Sequence, residues 1–162
     1  MQEYRHSKLK GPRHTARGVV IKDTQILLIE RWRDGLHYFS IPGGGIEAGE
    51  TPEQAVEREV VEESSVKVEV IRGLYEMNDS AGHSHKIFLC RYVSGDPKLQ
   101  INSEEAEAMA QSAQADRYEP RWVEINRLKD LPFEYWTPIA KQLINDIKQG
   151  WPKSILKLHS NS

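Results

Sequence analysis

The chain has 162 residues, a formal net charge of −2, 38% hydrophobic residues and 28% charged residues. That size and balance suit one ordinary globular domain, and the near-neutral charge by itself names no partner. A lone cysteine, Cys90, excludes an internal disulfide and fits a reducing compartment. No apolar run approaches the ~18 residues of a membrane span and no signal-peptide segment opens the chain, so it is read as cytoplasmic.

From Met1 to Arg17 the chain carries Arg5, Lys8, Lys10, Arg13 and Arg17 against Glu3 alone, without hydrophobic periodicity. This predicts a solvated tail or irregular lead-in strand, with a basic flap over phosphates as the alternative. Gly18 to Ile21 and Ile26 to Ile29 are short apolar runs separated by Lys22-Asp23-Thr24-Gln25, which predicts two strands joined by a tight turn. Both runs are apolar on successive residues, so both strands should be covered on both faces. Arg31, Trp32 and Arg33 leave the second strand ahead of an Asp34-Gly35 turn. Trp32, Tyr38 and Phe39 are either core or rim packing, or a platform for a base.

The stretch from Gly43 to Val66 organises the chain. Gly43, Gly44 and Gly45 let the backbone come close to a ligand, and Pro42 stiffens the approach. Thr51 is a good N-cap, with Pro52 at the first helical position and Gln54 where a capping box wants it, so a helix should run from about residue 52 through about Glu63. Glu59, Glu62 and Glu63 then stand in the i, i+3, i+4 relation on one face. Like charges so placed repel, which makes sense if a cation sits among them. All-carboxylate ligation suits a hard ion, Mg²⁺ or Mn²⁺, and the natural client of such an ion is a polyphosphate. Glu50 and Arg58 should pair as a brace between loop and helix.

Beyond that helix, Val66 to Glu76 and Lys86 to Val93 read as strands, with Cys90 a small core residue on the second. The polar stretch Asn78 to His85 between them predicts a solvated hairpin; His83 and His85 lack a third ligand for zinc. Ser94-Gly95-Asp96-Pro97 ends the strand. Ser103 to Asp116 reads as a short surface helix or a loop, and Glu119 precedes the short strand Pro120 to Val123. Thr137-Pro138 reads as N-cap and N1 of a closing helix to about Gln149, with Ile139, Leu143, Ile144 and Ile147 on one stripe. Gly150 and Pro152 stop it, leaving Lys153 to Ser162 as a loosely docked tail.

The spacing of the central stretch resembles the Nudix box: Gly, five residues, Glu, seven residues, then Arg-Glu-aliphatic-x-Glu-Glu-x-Gly-aliphatic. Gly44, Glu50, Arg58, Glu59, Val60, Glu62, Glu63 and Val66 match, while Ser65 stands where the pattern has a C-capping glycine. The resemblance implies an α/β fold, a Nudix-type α/β/α sandwich with a mixed β-sheet between the box helix and the closing helix. It also implies a small helical turn over Ile125 to Leu131. Residues 1–162 form a single domain on this reading, with a core at about 15–149, a basic lead-in at 1–14 and a tail at 150–162.

The resemblance further implies a divalent-metal-dependent hydrolase that cleaves the pyrophosphate linkage of a nucleoside diphosphate joined to another moiety. Glu59 and Glu63 would be the main metal ligands, with Glu62 assisting and the carbonyl of Gly43 completing the shell. Arg58 belongs to the catalytic set. Gly44, Gly45 and Arg31 would face the substrate, Arg31 as a phosphate contact unless it makes only a surface ion pair. The general base would be Glu59 or a carboxylate from the loop ahead of the late strand, Glu119 first and Glu105 second. His83 and Ser84 stand where the ADP-ribose and dinucleoside-polyphosphate branches carry a proline or tyrosine, and the motif of NADH-cleaving members is absent. Nucleoside triphosphates, including oxidised ones, are therefore expected ahead of nucleotide sugars. The expected partner is a small nucleotide, with no nucleic acid polymer and no membrane, and with a homodimer left open. A non-catalytic nucleotide-sensing module is the alternative, disfavoured by the intact Glu50, Glu59, Glu62 and Glu63. An isomerase on the same fold would need a catalytic cysteine, which Cys90 does not obviously supply.

Overall fold

The computed structural model describes residues 11–98 and 116–160. Strands β1 (His14–Lys22) and β2 (Gln25–Arg33) form a hairpin whose turn places Asp23 at φ 56°, a left-handed conformation that aspartate adopts more readily than most side chains. Strand β3 (Leu36–Ser40) folds back along β2 through Asp34 and Gly35, at φ 50° and 80°; an Asp-Gly pair is suited to such a turn. There follow β4 (Gly43–Gly45), helix α1 (Pro52–Ser64), β5 (Lys67–Asn78), β6 (Ser84–Ser94) and β7 (Arg117–Glu124). Two 3-10 turns, Ile125–Asp130 and Glu134–Trp136, lead into helix α2 (Thr137–Gln149), and β8 (Leu156–His159) closes the described chain.

The sheet runs β3-β2-β1-β6-β5-β8, with β4 attached to β1 and β7 to β2. It is mixed, because β1 with β6 and β5 with β8 pair in parallel while the other pairs are antiparallel. β2 meets β1 only at Ile26 and Gln25, then meets β3 from Ile29 to Arg33. β7 covers the opposite edge of β2 from Gln25 to Trp32. On the edge of β1 that β2 abandons, β4 pairs with Thr15, Ala16 and Arg17. The splayed β1–β2 hairpin thus opens a gap at its far end, and the chain between β3 and β4 carries the glycines into it.

Every residue of β1 from Thr15 to Val20 and of β2 from Ile26 to Ile29 is buried, so both strands are covered on both faces, as their continuous apolar runs predict. Alternation assigns the faces. Ala16, Val20 and Leu27 pack with Ala55, Val56 and Val60 of α1, whereas Val19, Ile26 and Leu28 pack with Ile139, Ala140 and Leu143 of α2. The result is an α/β/α sandwich. No helix among the described residues is long and apolar enough to cross a membrane.

Helix α1 starts on a full capping box, with the Gln54 amide donating to Thr51 Oγ1 at 3.1 Å and the Thr51 amide donating to Gln54 Oε1 at 2.9 Å. At its other end Ser65 keeps the left-handed cap at φ 67°, and its amide donates to the Val61 carbonyl. Serine there costs roughly 1 kcal/mol relative to glycine, and its hydroxyl donates to the Lys98 carbonyl at 2.8 Å.

Several expectations are corrected. Thr137 is not an N-cap: it is already helical, at φ −53° and ψ −43°, because the preceding 3-10 turn runs straight into α2, and its hydroxyl donates back to the Glu134 carbonyl. The supposed loose tail contains β8, which pairs with Tyr75 to Asn78 of β5. His83 and His85 are buried, not solvated. The β1–β6 register sets His85 beside Thr15, where its ring bonds Thr15 Oγ1 at 2.7 Å and Tyr135 Oη at 3.1 Å. Tyr38 and Phe39 belong to the core. Trp32 is sandwiched between the His37 ring at 5.1 Å and the Arg117 guanidinium at 4.3 Å. Glu119 lies inside the eight-residue β7 and not in a loop ahead of it; Pro120 is tolerated because, among the described strands, β7 pairs only with β2. Residues 1–10, most of the Ser103 to Asp116 stretch and Glu105 lie outside the described residues.

Candidate active site

Arg58 is the hub of the exposed side of α1. It grips Glu50 with two parallel bonds, Nε to Oε2 at 2.7 Å and Nη2 to Oε1 at 2.9 Å, the strong bidentate arrangement of guanidinium and carboxylate. Nη2 also donates to the Gly45 carbonyl at 3.1 Å, while Nη1 reaches Glu59 Oε1 at 2.8 Å and Glu62 Oε2 at 3.3 Å. The expected brace between loop and helix is therefore present. The bonds from Arg58, helped by the Glu47 amide, hold the Glu50 carboxyl down at about 2.

Above these side chains lies β4. A Cβ on Gly44 would sit 2.6 Å from Glu59 Cδ, so only glycine leaves room for that carboxylate. Gly43 is similarly constrained, because a Cβ there would stand 2.3 Å from the Ala16 carbonyl oxygen. The Ile46 amide donates to the His14 carbonyl and the Gly18 amide to that of Pro42; ladder alternation then turns the amide and carbonyl of Gly43 away from β1. The Gly43 amide donates to Glu63 Oε1 at 3.2 Å.

Glu63 Oε2 accepts from Arg31 Nη2 at 2.9 Å, and Arg31 Nε donates to Ser40 Oγ at 3.3 Å. The Arg31 guanidinium also lies 5.5 Å from the Tyr118 ring centre. Burial pushes the Glu63 carboxyl up, against the pull of Arg31, Arg17 and the Gly43 amide. The three box glutamates thus differ: Glu63 is 13% exposed, Glu59 22% and Glu62 61%.

Of the residues predicted from the sequence, the fold brings together Gly43, Gly44, Gly45, Arg31, Arg58, Glu59 and Glu63, with Glu62 at the solvent edge. Glu119 is apart. It pairs in register with Glu30, whereas Arg31 faces α1, so alternation puts Glu119 on the opposite face of the sheet, bonded to Arg121. The donor set of Glu59, Glu62, Glu63 and the Gly43 carbonyl is all oxygen, which fits a hard divalent cation. Among the described residues no three acidic, histidine or cysteine side chains already converge on one ion-sized point; Arg58 and Arg31 hold Glu59 and Glu63 instead.

One residue beside this site corrects the sequence expectation: Arg17, counted with the basic stretch read as a solvated tail or lead-in strand, lies buried inside β1. Arg17 is 2% exposed, and its Nη1 donates to the Ile41 carbonyl at 3.0 Å. A charge set among Ala16, Gly18, Val19 and Val20 was the available signal, since strands covered on both faces seldom carry one.

A family model described as the NUDIX domain matches residues 12–146. The chain belongs to the Nudix family. It is 38% identical over 96 residues to an ADP-ribose pyrophosphatase of Methanocaldococcus jannaschii, a match that takes in 56% of this chain and 57% of that protein. A longer match, 24% identical, joins 88% of this chain to 96% of an RNA pyrophosphohydrolase of Pelagibacter ubique. Among solved structures, a Nudix hydrolase from Nitrosomonas europaea superposes with a TM-score of 0.69 at 18% identity, over 92% of this chain and 80% of that one. At that identity the likeness speaks for the fold alone. The chain spans little more than half the length of the first of these relatives.

Proposed function

We propose that this Nudix domain is a divalent-metal-dependent pyrophosphohydrolase acting on a nucleoside diphosphate joined to another group. The observation that carries the reading is the pair of carboxylates Glu59 and Glu63, set beneath a glycine strand and each held by an arginine. In this reading Glu59, Glu63 and the Gly43 carbonyl, with Glu62 at the edge, hold Mg²⁺ or Mn²⁺. Held there, such an ion would supply charge neutralisation of the diphosphate and would make the attacking water easier to deprotonate.

The chain's own groups do the rest. Arg31 exchanges Glu63 for a phosphate oxygen, and Gly44 leaves no side chain to block the ligand's approach. Arg58 keeps Glu59 aimed, and Glu59 takes the proton as water attacks phosphorus and the bridging P–O bond breaks. Glu59 is preferred as base over Glu119, which lies across the sheet. Cys90 has no part, since burial and the Glu57 charge push its thiol up to about 12; an inert buried thiol fits a reducing, cytoplasmic setting.

Nucleoside triphosphates, including oxidised ones, head the expected substrates, followed by nucleotide sugars. The relatives' names add ADP-ribose and an RNA to the panel. Hydrolysis of each, with Mg²⁺, with Mn²⁺ and in excess EDTA, is the test. Turnover of at least one with metal and none with chelator is expected. Full turnover in EDTA would sink the metal assignment, and tight nucleotide binding without turnover would favour the sensing module.

A further inference from the structure

Arg17 is the only arginine or lysine that is buried among the described residues. Strand alternation directs Ala16 toward α1 and Arg17 toward α2, so its guanidinium packs on the α2 side of the sheet, from which its charge still acts on Glu63. The guanidinium carbon packs 4.2 Å from the centre of the Trp136 ring. Trp136 is in turn wedged edge-to-face against His85 at 4.8 Å and Tyr135 at 5.0 Å. From this fixed platform Arg17 Nη1 reaches the Ile41 carbonyl. Its stem supports Gly43, whose missing Cβ would lie 2.6 Å from both Cα and Cγ of Arg17.

Desolvating a guanidinium is costly, and a hydrocarbon side chain of similar volume often serves stability as well or better. What the charged group adds here is a grip on the short segment that enters the gap between β1 and β2. Two residues beyond Ile41, the Gly43 amide meets Glu63.

We propose that Arg17 is a positioning residue. From behind the sheet it fixes the segment from Ile41 to Gly43, so that the Gly43 amide and carbonyl face Glu63. This role rests on the hydrolase reading only in its catalytic consequence.

The test compares Arg17→Met, Arg17→Lys and Val19→Ala, the last a buried substitution on the same face of the same strand that shares the core with Ile41 but removes no hydrogen bond to the segment. Amide hydrogen exchange is read residue by residue on each folded protein without metal, and kcat and KM are read per folded molecule on the best nucleotide of the panel. In Arg17→Met the Gly43 amide should exchange at least about tenfold faster than in Val19→Ala, with β5 and β6 amides alike in the two. Its kcat should fall about tenfold or more with KM within about twofold, and lysine should recover part of both losses. Exchange and kcat matching those of Val19→Ala would overturn the proposal. If Arg17→Met does not fold, Arg17→Lys is judged alone: faster exchange confined to the 41–45 segment supports the role, and a uniform rise across the sheet or none removes it. If the parent hydrolyses nothing in the panel, the hydrolase reading fails while exchange at Gly43 still decides the role of Arg17.

Discussion

Arg31 and Glu63 hold each other at 2.9 Å across the gap between β2 and α1. These are the two groups for which we propose different clients, a phosphate for the arginine and a metal ion for the glutamate. In the protein without ligand each is the other's stand-in. Glu63 is largely buried, so leaving it without a counter-charge would be expensive. Ligand binding on this view is an exchange of partners.

Arg31→Ala should therefore act twice. On the substrate side, loss of a ground-state phosphate contact should raise KM by about tenfold with a smaller fall in kcat. On the stability side, Glu63 loses its partner, and the metal-free protein should be destabilised by about 1–3 kcal/mol. Steady-state kinetics and urea unfolding of the same preparation check both. Unchanged KM would return Arg31 to the role of a simple ion pair.

Gly44→Ala tests the fit between strand and helix. The added methyl would lie 2.6 Å from Glu59 Cδ, and its three nearest neighbours all belong to the Glu59 carboxylate, the far end of a flexible side chain. The carboxylate must swing aside while the backbone stays, so kcat should drop by about 10²-fold with Tm lowered by only a few degrees. Gly45→Ala should be milder, because the nearest atom to its Cβ is Arg13 Nη2 at 3.6 Å. A Gly44→Ala protein of parental kcat would mean that the position of Glu59 is immaterial.

His85 makes a pH prediction. Burial first, then the positive charge of Arg17, lowers its pKa from 6.5 to about 2. The unfolded chain takes up a proton below about pH 6.5 that the folded one refuses until about pH 2, so stability falls as pH falls through that window. One full proton corresponds to about 1.4 kcal/mol per pH unit. Glu50, held down at about 2 from 4.5, adds a loss of the same sign that begins lower. Urea unfolding at several pH values from about 7 down to 5 should show the slope in the parent and a clearly smaller one in His85→Gln. Parallel slopes would mean that His85 protonates in the folded state as freely as in the unfolded one.

Much of this was legible beforehand because it is local. The capping box of Thr51 and Gln54, the bond from Arg58 to Glu50 and the helical face of Glu59, Glu62 and Glu63 all follow from spacing along one helix and its lead-in. Partners distant in sequence were not legible. The like charges of the box glutamates suggested repulsion awaiting an ion, yet Arg58 and Arg31 already thread between them, the latter from 32 residues away. His85 looked solvated because its bonding partners are Thr15 and Tyr135, 70 and 50 residues off. Glu119 was misplaced for a geometric reason: it stands inside β7, where the parity of the strand decides which face each side chain takes.

The same exchange of partners between Arg31 and Glu63 can be measured as a coupling. In the metal-free protein, Arg31→Ala, Glu63→Gln and the double variant form a cycle. Because the two side chains touch and are mostly buried, the single changes should sum to more than the double change, by about 0.5–3 kcal/mol. The Gly43 amide and Arg31 meet different oxygens of Glu63, and in glutamine one of those positions becomes an NH2 that faces a donor, so Glu63→Gln should itself be mildly destabilising. Saturating Mg²⁺ should stabilise the parent by mass action and stabilise either Glu63 variant less. If the ion takes Glu63 from Arg31, the coupling should shrink toward zero when the cycle is repeated with Mg²⁺, while kcat of Glu63→Gln falls by about 10²-fold. A coupling of the same size with and without Mg²⁺ would leave Glu63 as a partner of Arg31 alone, and the ligand set would have to be rebuilt around Glu59 and Glu62.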